Sequence, residues 1–304
     1  MTAWEGLSEP ADMTTPAPGA EGGQPPYGLR RAEGEPSPFV FASPHSGRHY
    51  PAELMDAAAL DGAAIRRSED AFVDALIGSA PARGAALLTA RYARAYIDVN
   101  REAYELDPAM FEDELPPFAR ARTPRVAAGL GSIARVVGEG QEIYRRKLTF
   151  AEARARIETV HRPYHRILAA LLEETRAVHG RAILIDWHSM PSAASGEPAD
   201  GRKGCDMVLG DRYGSACAPG LTRLVERELE SMGYRVARNA PYAGGYTTEY
   251  YGRPAEGLHA LQIEINRGAY LDEAALRPTA GFDRLKHDLD RLFAIIATDW
   301  RKAF

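Results

Sequence analysis

Three short stretches carry residues that could do chemistry, and each stands at the end of an apolar run. Phe39-Val40-Phe41-Ala42 leads into Ser43-Pro44-His45-Ser46-Gly47; Ala182-Ile183-Leu184-Ile185 leads into Asp186-Trp187-His188-Ser189; His259-Ala260-Leu261-Gln262-Ile263 leads into Glu264. A fourth group, Arg94, Asn100 and Arg101, follows the apolar residues 85–90 and 95–99. Short apolar runs bounded by turn residues read as buried strands. In open α/β sheets the chemistry collects beyond the carboxyl ends of such strands. If they converge, two neutral imidazoles and a carboxylate can hold Zn²⁺ and leave a position open for water. A separate carboxylate can then take a proton from that water, and arginines can neutralise an oxyanion or grip a carboxylate. That is the equipment for metal-assisted hydrolysis of an amide.

Other residues receive a blander reading. Ser68 looks like the N-cap of a helix through Ile77, with Glu69 and Asp70 in its first turn, where acids commonly face the helix dipole. His161 and His165 lie four apart on a helix of about thirty residues, Thr149 to His179, whose buried stripe includes Ile157, Val160, Leu168 and Leu171. The glutamate of a zincin motif is absent there, and Pro163 should kink the helix, so hydrogen bonding is the expected role for this pair. Gly244-Gly245-Tyr246 opens an aromatic loop and does not fit a dinucleotide fingerprint.

The elements that must position these groups alternate along the chain. Residues 206–210 and 234–237 read as further strands, Leu221 to Met232 as a helix, and the chain closes on an amphipathic helix containing Phe282, Leu285, Leu289, Leu292 and Phe293. The expectation is α/β: a three-layer αβα domain over residues 37–304 with a mixed, mostly parallel sheet. Residues 104–132, rich in proline, read as a long functional loop, and 192–204 as another. Residues 1–36 are poor in aliphatic side chains and are expected to form a disordered extension.

The totals agree with an ordinary globular protein: 304 residues, 45% hydrophobic and 26% charged. A net charge of −5 offers no attraction for nucleic acid or an anionic membrane. No run approaches the roughly eighteen apolar residues of a membrane span, and no secretory pattern opens the chain. Two cysteines, Cys205 and Cys217, cannot form a disulfide framework, and a cytoplasmic location is expected. Neither oligomeric state nor any macromolecular partner is indicated.

Taken in order, Ser43-Pro44-His45-Ser46-Gly47, Glu69-Asp70 with Val73-Asp74, Asp98-Val99-Asn100-Arg101, Asp186-Trp187-His188-Ser189 and Gln262-Ile263-Glu264 resemble the N-formylglutamate amidohydrolase (deformylase) family. Pro163-Tyr164-His165, Gly244-Gly245-Tyr246 and Tyr251-Gly252 strengthen the likeness, which runs from about residue 38 to 300. The resemblance implies a zinc-carboxypeptidase-like fold, shared with aspartoacylases. It implies Zn²⁺ held by His45, His188 and an acid from the Glu69-Asp70 pair, with Asp70 favoured. It further implies Glu264 as general base, Arg94 polarising the scissile carbonyl, Asn100 and Arg101 on the substrate carboxylate, and Tyr246 and Arg267 as second contacts. The implied reaction converts N-formyl-L-glutamate and water into formate and L-glutamate, the last step of one route of histidine degradation. Two alternatives stay open: a related zinc amidase or carboxypeptidase acting on another N-acyl amino acid or a peptide, and a protein that binds a carboxylate or metal without turnover.

Overall fold

The apolar run at Ala182 is the long central strand of a mixed sheet. The computed structural model describes residues 25–195 and 204–304. Among them, one sheet holds seven strands: β1 (Tyr27–Arg30), β2 (Phe39–Ser43), β3 (Ala86–Ala90), β4 (Ala182–Met190), β5 (Met207–Gly210), β6 (Val236–Arg238) and β7 (Leu258–Asn266). Their spatial order is β1-β3-β2-β4-β7-β5-β6. The pairings β3/β2, β2/β4, β4/β7 and β5/β6 are parallel, whereas β1/β3 and β7/β5 are antiparallel. The sheet is therefore mixed and mostly parallel, as expected.

Strand alternation sorts the core into two layers. Phe39, Phe41, Ile183, Ile185, Leu261 and Ile263 face one side and pack with apolar residues of the helices Pro219–Ser231 and Gly281–Asp299. Val40, Ala42, Ala182, Leu184 and Ala260 face the other, with Leu168, Leu171 and Leu172 of the helix Arg162–His179. A sheet apolar on both faces must be covered twice, and the three-layer arrangement follows.

From β2 the chain crosses to β3 on one side, while β4 docks on the other. The crevice beyond the carboxyl ends of β2 and β4 is thus a topological switch point, where such sheets bind ligands. The second core layer turns polar there. Continuing the register of Ala182 and Leu184 gives Asp186 and His188, and continuing that of Ala260 gives Gln262 and Glu264, all of them buried.

The helix expected from Thr149 to His179 is continuous in three parts. Thr149 and Glu152 form a reciprocal cap at its start. Ile157–His161 widens into a π turn just before Pro163. Proline has no N–H to give the carbonyl four residues back and its ring crowds that carbonyl, so the wider turn accommodates it. Gly180, in left-handed conformation at φ 74°, ends the helix.

Three expectations are corrected. The N-terminal extension does not reach residue 36 as a disordered segment: Tyr27–Arg30 adds an antiparallel strand to the β3 edge, with Tyr27 and Leu29 packed against the core. A four-residue strand can draw its stability from backbone pairing, so a composition poor in aliphatics conceals it. Residues 1–24 lie outside the described residues. Residues 95–99 are not a strand, because β1 already holds the free side of β3; Asp98 N–H instead donates to the Ser132 carbonyl. Finally, Ser68 caps no helix. It ends the short turn Ile65–Ser68 and its hydroxyl donates to the Ile65 carbonyl, and only Val73–Leu76 is α-helical. Between them the chain leaves the helical path: Glu69 is extended at ψ 141° and Phe72 takes a left-handed φ of 63°, so Glu69 and Asp70 are not on one helical turn.

Candidate metal centre

His45 leaves the end of β2, Asp70 comes from the β2–β3 crossover, and His188 stands near the end of β4. Their side chains converge, each almost wholly buried. His188 Nδ1 lies 3.1 Å from His45 Nδ1 and 3.1 Å from Asp70 Oδ2, and His45 Nδ1 is 3.4 Å from the same Oδ2. Three ligands tetrahedrally arranged about one zinc ion at ordinary bond lengths would stand about 3.3 Å apart. Among the described residues this is the one group of histidines, cysteines and acids close enough to share an ion.

The surrounding hydrogen bonds determine which atoms face inward. His45 Nε2 is 2.7 Å from Asp98 Oδ1, and His188 Nε2 is 3.0 Å from Asp186 Oδ2. A carboxylate at Nε2 favours the proton there, so both Nδ1 atoms present lone pairs to the centre. Asp70 divides its work: Oδ1 accepts from Arg267 Nη2 at 3.0 Å and Oδ2 faces the histidines. Asp98 Oδ2 in turn accepts from Arg94 Nη2 at 2.7 Å. Three lone pairs pointed at one another repel unless positive charge lies between them, so the donor set fits a divalent cation.

The acid–base behaviour of these groups expresses the same demand. Burial favours a neutral Asp70, but hydrogen bonds and attraction from His188 and His45, when these carry a second proton, outweigh it and hold the carboxyl well below its usual range. Burial likewise opposes charge on Asp98, yet His45 and Arg94 keep it well below the usual range. For His188 burial again disfavours charge, and the Asp186 and Asp70 carboxylates reverse that, raising the imidazole well above its ordinary value. The cluster stabilises positive charge at its centre, whether a proton or a metal ion brings it.

Glu264 is the exception among these acids. It pairs in register with His188 across β4 and β7, so the two side chains share a face. Gln262 Nε2 donates to its Oε1 at 2.9 Å. Burial pushes its carboxyl up to about 7, with His188 opposing and the negative charge of Asp70 adding to the rise. A carboxylate poised near neutrality can take and return a proton.

A cavity of about 620 Å³ opens over this centre, lined among others by His45, Asp70, Arg94, Arg101, His188 and Glu264. Arg94, anchored on Asp98, stands at its wall. Arg101 donates through Nε to the Leu130 carbonyl and through Nη1 to the Asn100 carbonyl.

Several residues expected at the site have other duties. Glu69 points away from the histidines, taking hydrogen bonds from the Tyr50 hydroxyl at 2.7 Å and Arg66 Nε at 2.8 Å. Tyr246 does not line the cavity; its ring packs against His161, His165 and Tyr250. Tyr242, four residues earlier in the same loop, lines it instead. Asn100 does reach the cavity, but its amide is occupied: Oδ1 accepts from Thr247 N–H at 2.8 Å, and Nδ2 lies 3.4 Å from Asp186 Oδ2 and 3.1 Å from His188 Nε2. It positions the His188 backing rather than offering a free substrate contact. Arg267 likewise is buried and spent on Asp70, Ser189 Oγ and the Arg67 carbonyl. Asp98 was legible only as part of a motif; its role behind His45 follows from no spacing rule. His161 and His165 hydrogen-bond the Arg101 and Val99 carbonyls at 2.9 and 2.7 Å, the structural part expected of them.

A sequence profile of the N-formylglutamate amidohydrolase family matches residues 37–271. An N-formylglutamate deformylase of Pseudomonas aeruginosa is 32% identical over 242 residues, which cover 78% of this chain and 84% of that protein. One from Pseudomonas putida is 29% identical over 248 residues, covering 78% and 82% respectively. The crystal structure of N-formylglutamate amidohydrolase from Ralstonia eutropha JMP134 superimposes with a TM-score of 0.86 at 41% identity, covering 92% of this chain and 99% of that one. With its profile match spanning most of the length and its fold shared over 92% of the chain, this chain belongs to the N-formylglutamate amidohydrolase family.

Proposed function

We propose that this protein is a zinc-dependent amidohydrolase that splits the N-formyl amide of an acidic amino acid, converting N-formyl-L-glutamate and water into formate and L-glutamate. The observation that carries this reading is the meeting of His45 Nδ1, Asp70 Oδ2 and His188 Nδ1 beside a buried carboxyl raised to about 7. These three side chains would hold the ion, which when bound supplies Lewis acidity and makes water a competent nucleophile at neutral pH.

The chain's own residues do the rest. Glu264 takes a proton from the attacking water and returns it to the departing amine, so the products leave as formate and a free amino group. Arg94, fixed by Asp98, faces the cavity where the amide oxygen gains negative charge, and a guanidinium there stabilises that charge more than the neutral carbonyl before it. Arg101 grips a substrate carboxylate, its fork held by two backbone carbonyls. Arg267 keeps Asp70 aimed inward, and Asp98 and Asp186 keep the proton on the far nitrogen of each histidine.

A release assay tests the reading. Purified protein is supplied with N-formylglutamate, N-acetylaspartate and a small set of dipeptides, with and without chelator. Formate release from N-formylglutamate, abolished by chelation and restored by Zn²⁺, is the expected result. Faster cleavage of the acetyl compound or of a dipeptide would replace the substrate, and turnover indifferent to chelator would remove the metal.

A further inference from the structure

Arg94 is not the only arginine at the cavity wall. Arg101 and Arg125 both line it, and the charges of Asp98, Arg94, Arg125 and Glu105 all bear on Arg101. Burial lowers the Arg101 pKa from its ordinary value; Asp98 opposes that, and the like charges of Arg94 and Arg125 add to it. Glu105, whose Oε1 accepts a hydrogen bond from the Thr123 hydroxyl, opposes it as well, as the least of these influences. Among the described residues, neither Arg101 nor Arg125 makes an ion pair with a carboxylate, and the side-chain hydrogen bonds of Arg101 go only to carbonyl oxygens.

The Arg101 guanidinium and the backbone that carries Arg125 are tied together. Arg101 Nε donates to the Leu130 carbonyl, and Leu130 N–H donates to the Arg125 carbonyl. The short helix Pro124–Ala127, which carries Arg125, is capped by the Thr123 side chain on Val126 N–H. The Arg101 carbonyl is itself held by His161 Nε2. Like charges kept together at a cavity wall, neither in a direct ion pair with a carboxylate, favour an anionic ligand there. The adjoining wall is apolar, formed by Leu130, Ala134, Val136, Val137 and Ile143.

We propose that Arg125, acting with Arg101, forms the subsite for the side-chain carboxylate of a dianionic N-acyl amino acid, its methylene groups lying along that apolar wall. The inference rests on the hydrolytic reading above and deepens it: Arg125 makes the enzyme select an acidic side chain, while Arg94 serves the reacting amide. N-formylglutamine has the shape of N-formylglutamate without the second charge, so it isolates the contribution of the subsite.

The test compares kcat/KM for these two compounds in the wild type, Arg125→Gln and Arg125→Lys. Arg125→Gln lowers the glutamate-over-glutamine preference by about 10- to 100-fold, chiefly through KM, as expected for loss of a charge-assisted hydrogen bond. Arg125→Lys, which keeps the charge without the fork, recovers part of that preference. A preference unchanged within about threefold in Arg125→Gln overturns the proposal. A wild type that cleaves neither compound refutes the hydrolytic reading instead, and calorimetry with L-glutamate and L-glutamine then judges the subsite. Tighter binding of glutamate by the wild type, lost in Arg125→Gln, upholds it; equal binding of the two by the wild type overturns it.

Discussion

At the scale of single residues, the centre works by giving four acids different tasks. Asp98 and Asp186 sit behind the histidines, Asp70 faces the shared centre, and Glu264, more than nine-tenths buried beside His188, is raised toward neutrality. Only the last is suited to proton transfer. Glu264→Gln keeps the size and the Gln262 neighbour but removes the base, so kcat should fall by about 10²- to 10⁴-fold with metal content unchanged. The sign of the pH dependence follows from the same group. The base acts ionised, so wild-type kcat/KM should rise with pH and fall about tenfold per unit below the carboxyl's pKa. That pKa is about 7 from burial first, with Asp70 adding to it; a bound cation favours the ionised form, which moves the limb to or below that value. A limb retained unaltered in the residual activity of Glu264→Gln would assign it to another group.

At the scale of elements, strand ends were readable and loop geometry was not. His45, His188 and Glu264 stand where apolar runs stop, and a run buried on both faces is visible in composition alone. The choice between Glu69 and Asp70 was not readable, because a helix through both was expected and the chain is instead extended at Glu69 and left-handed at Phe72, a conformation rare for a bulky residue. Tyr246 was misassigned for a similar reason: the glycine pair marked the right loop, but which tyrosine enters the cavity depends on how residues 239–246 return across β5. The turn after β2 offers a direct test at this scale. A Cβ at Gly47 would lie 2.1 Å from the Tyr92 carbonyl oxygen and 2.6 Å from its carbon, and neither backbone atom can rotate aside. Gly47→Ala should therefore displace the turn that carries His45, with a loss of stability of about 1–3 kcal/mol and weaker metal retention. Thermal melting together with metal titration reads both effects, and a variant with wild-type values in both would show that the turn yields freely.

At the scale of the whole molecule, the layer order follows from hydrophobic alternation, whereas the sheet edge does not. Residues 95–99 carry a fair strand pattern yet lose the place beside β3 to Tyr27–Arg30, whose composition gave no hint of order. Pairing at an edge depends on which segment reaches it, a long-range competition that local pattern cannot decide. A chain begun at Ser37 lacks β1 and leaves β3 with unpaired backbone groups, which promote association between molecules. Light scattering and melting of that truncated chain should show a lower midpoint and larger species than the full-length protein. Identical behaviour would make β1 dispensable. None of the described helices is long and apolar enough to cross a membrane.

The central claim is that His45, Asp70 and His188 jointly hold one divalent cation. Metal analysis of the purified wild type, Glu264→Gln, His45→Ala and His188→Ala tests it most directly. About one equivalent of divalent metal per chain is predicted in the first two proteins and almost none in the two histidine variants. Close to one equivalent retained in both histidine variants would contradict it.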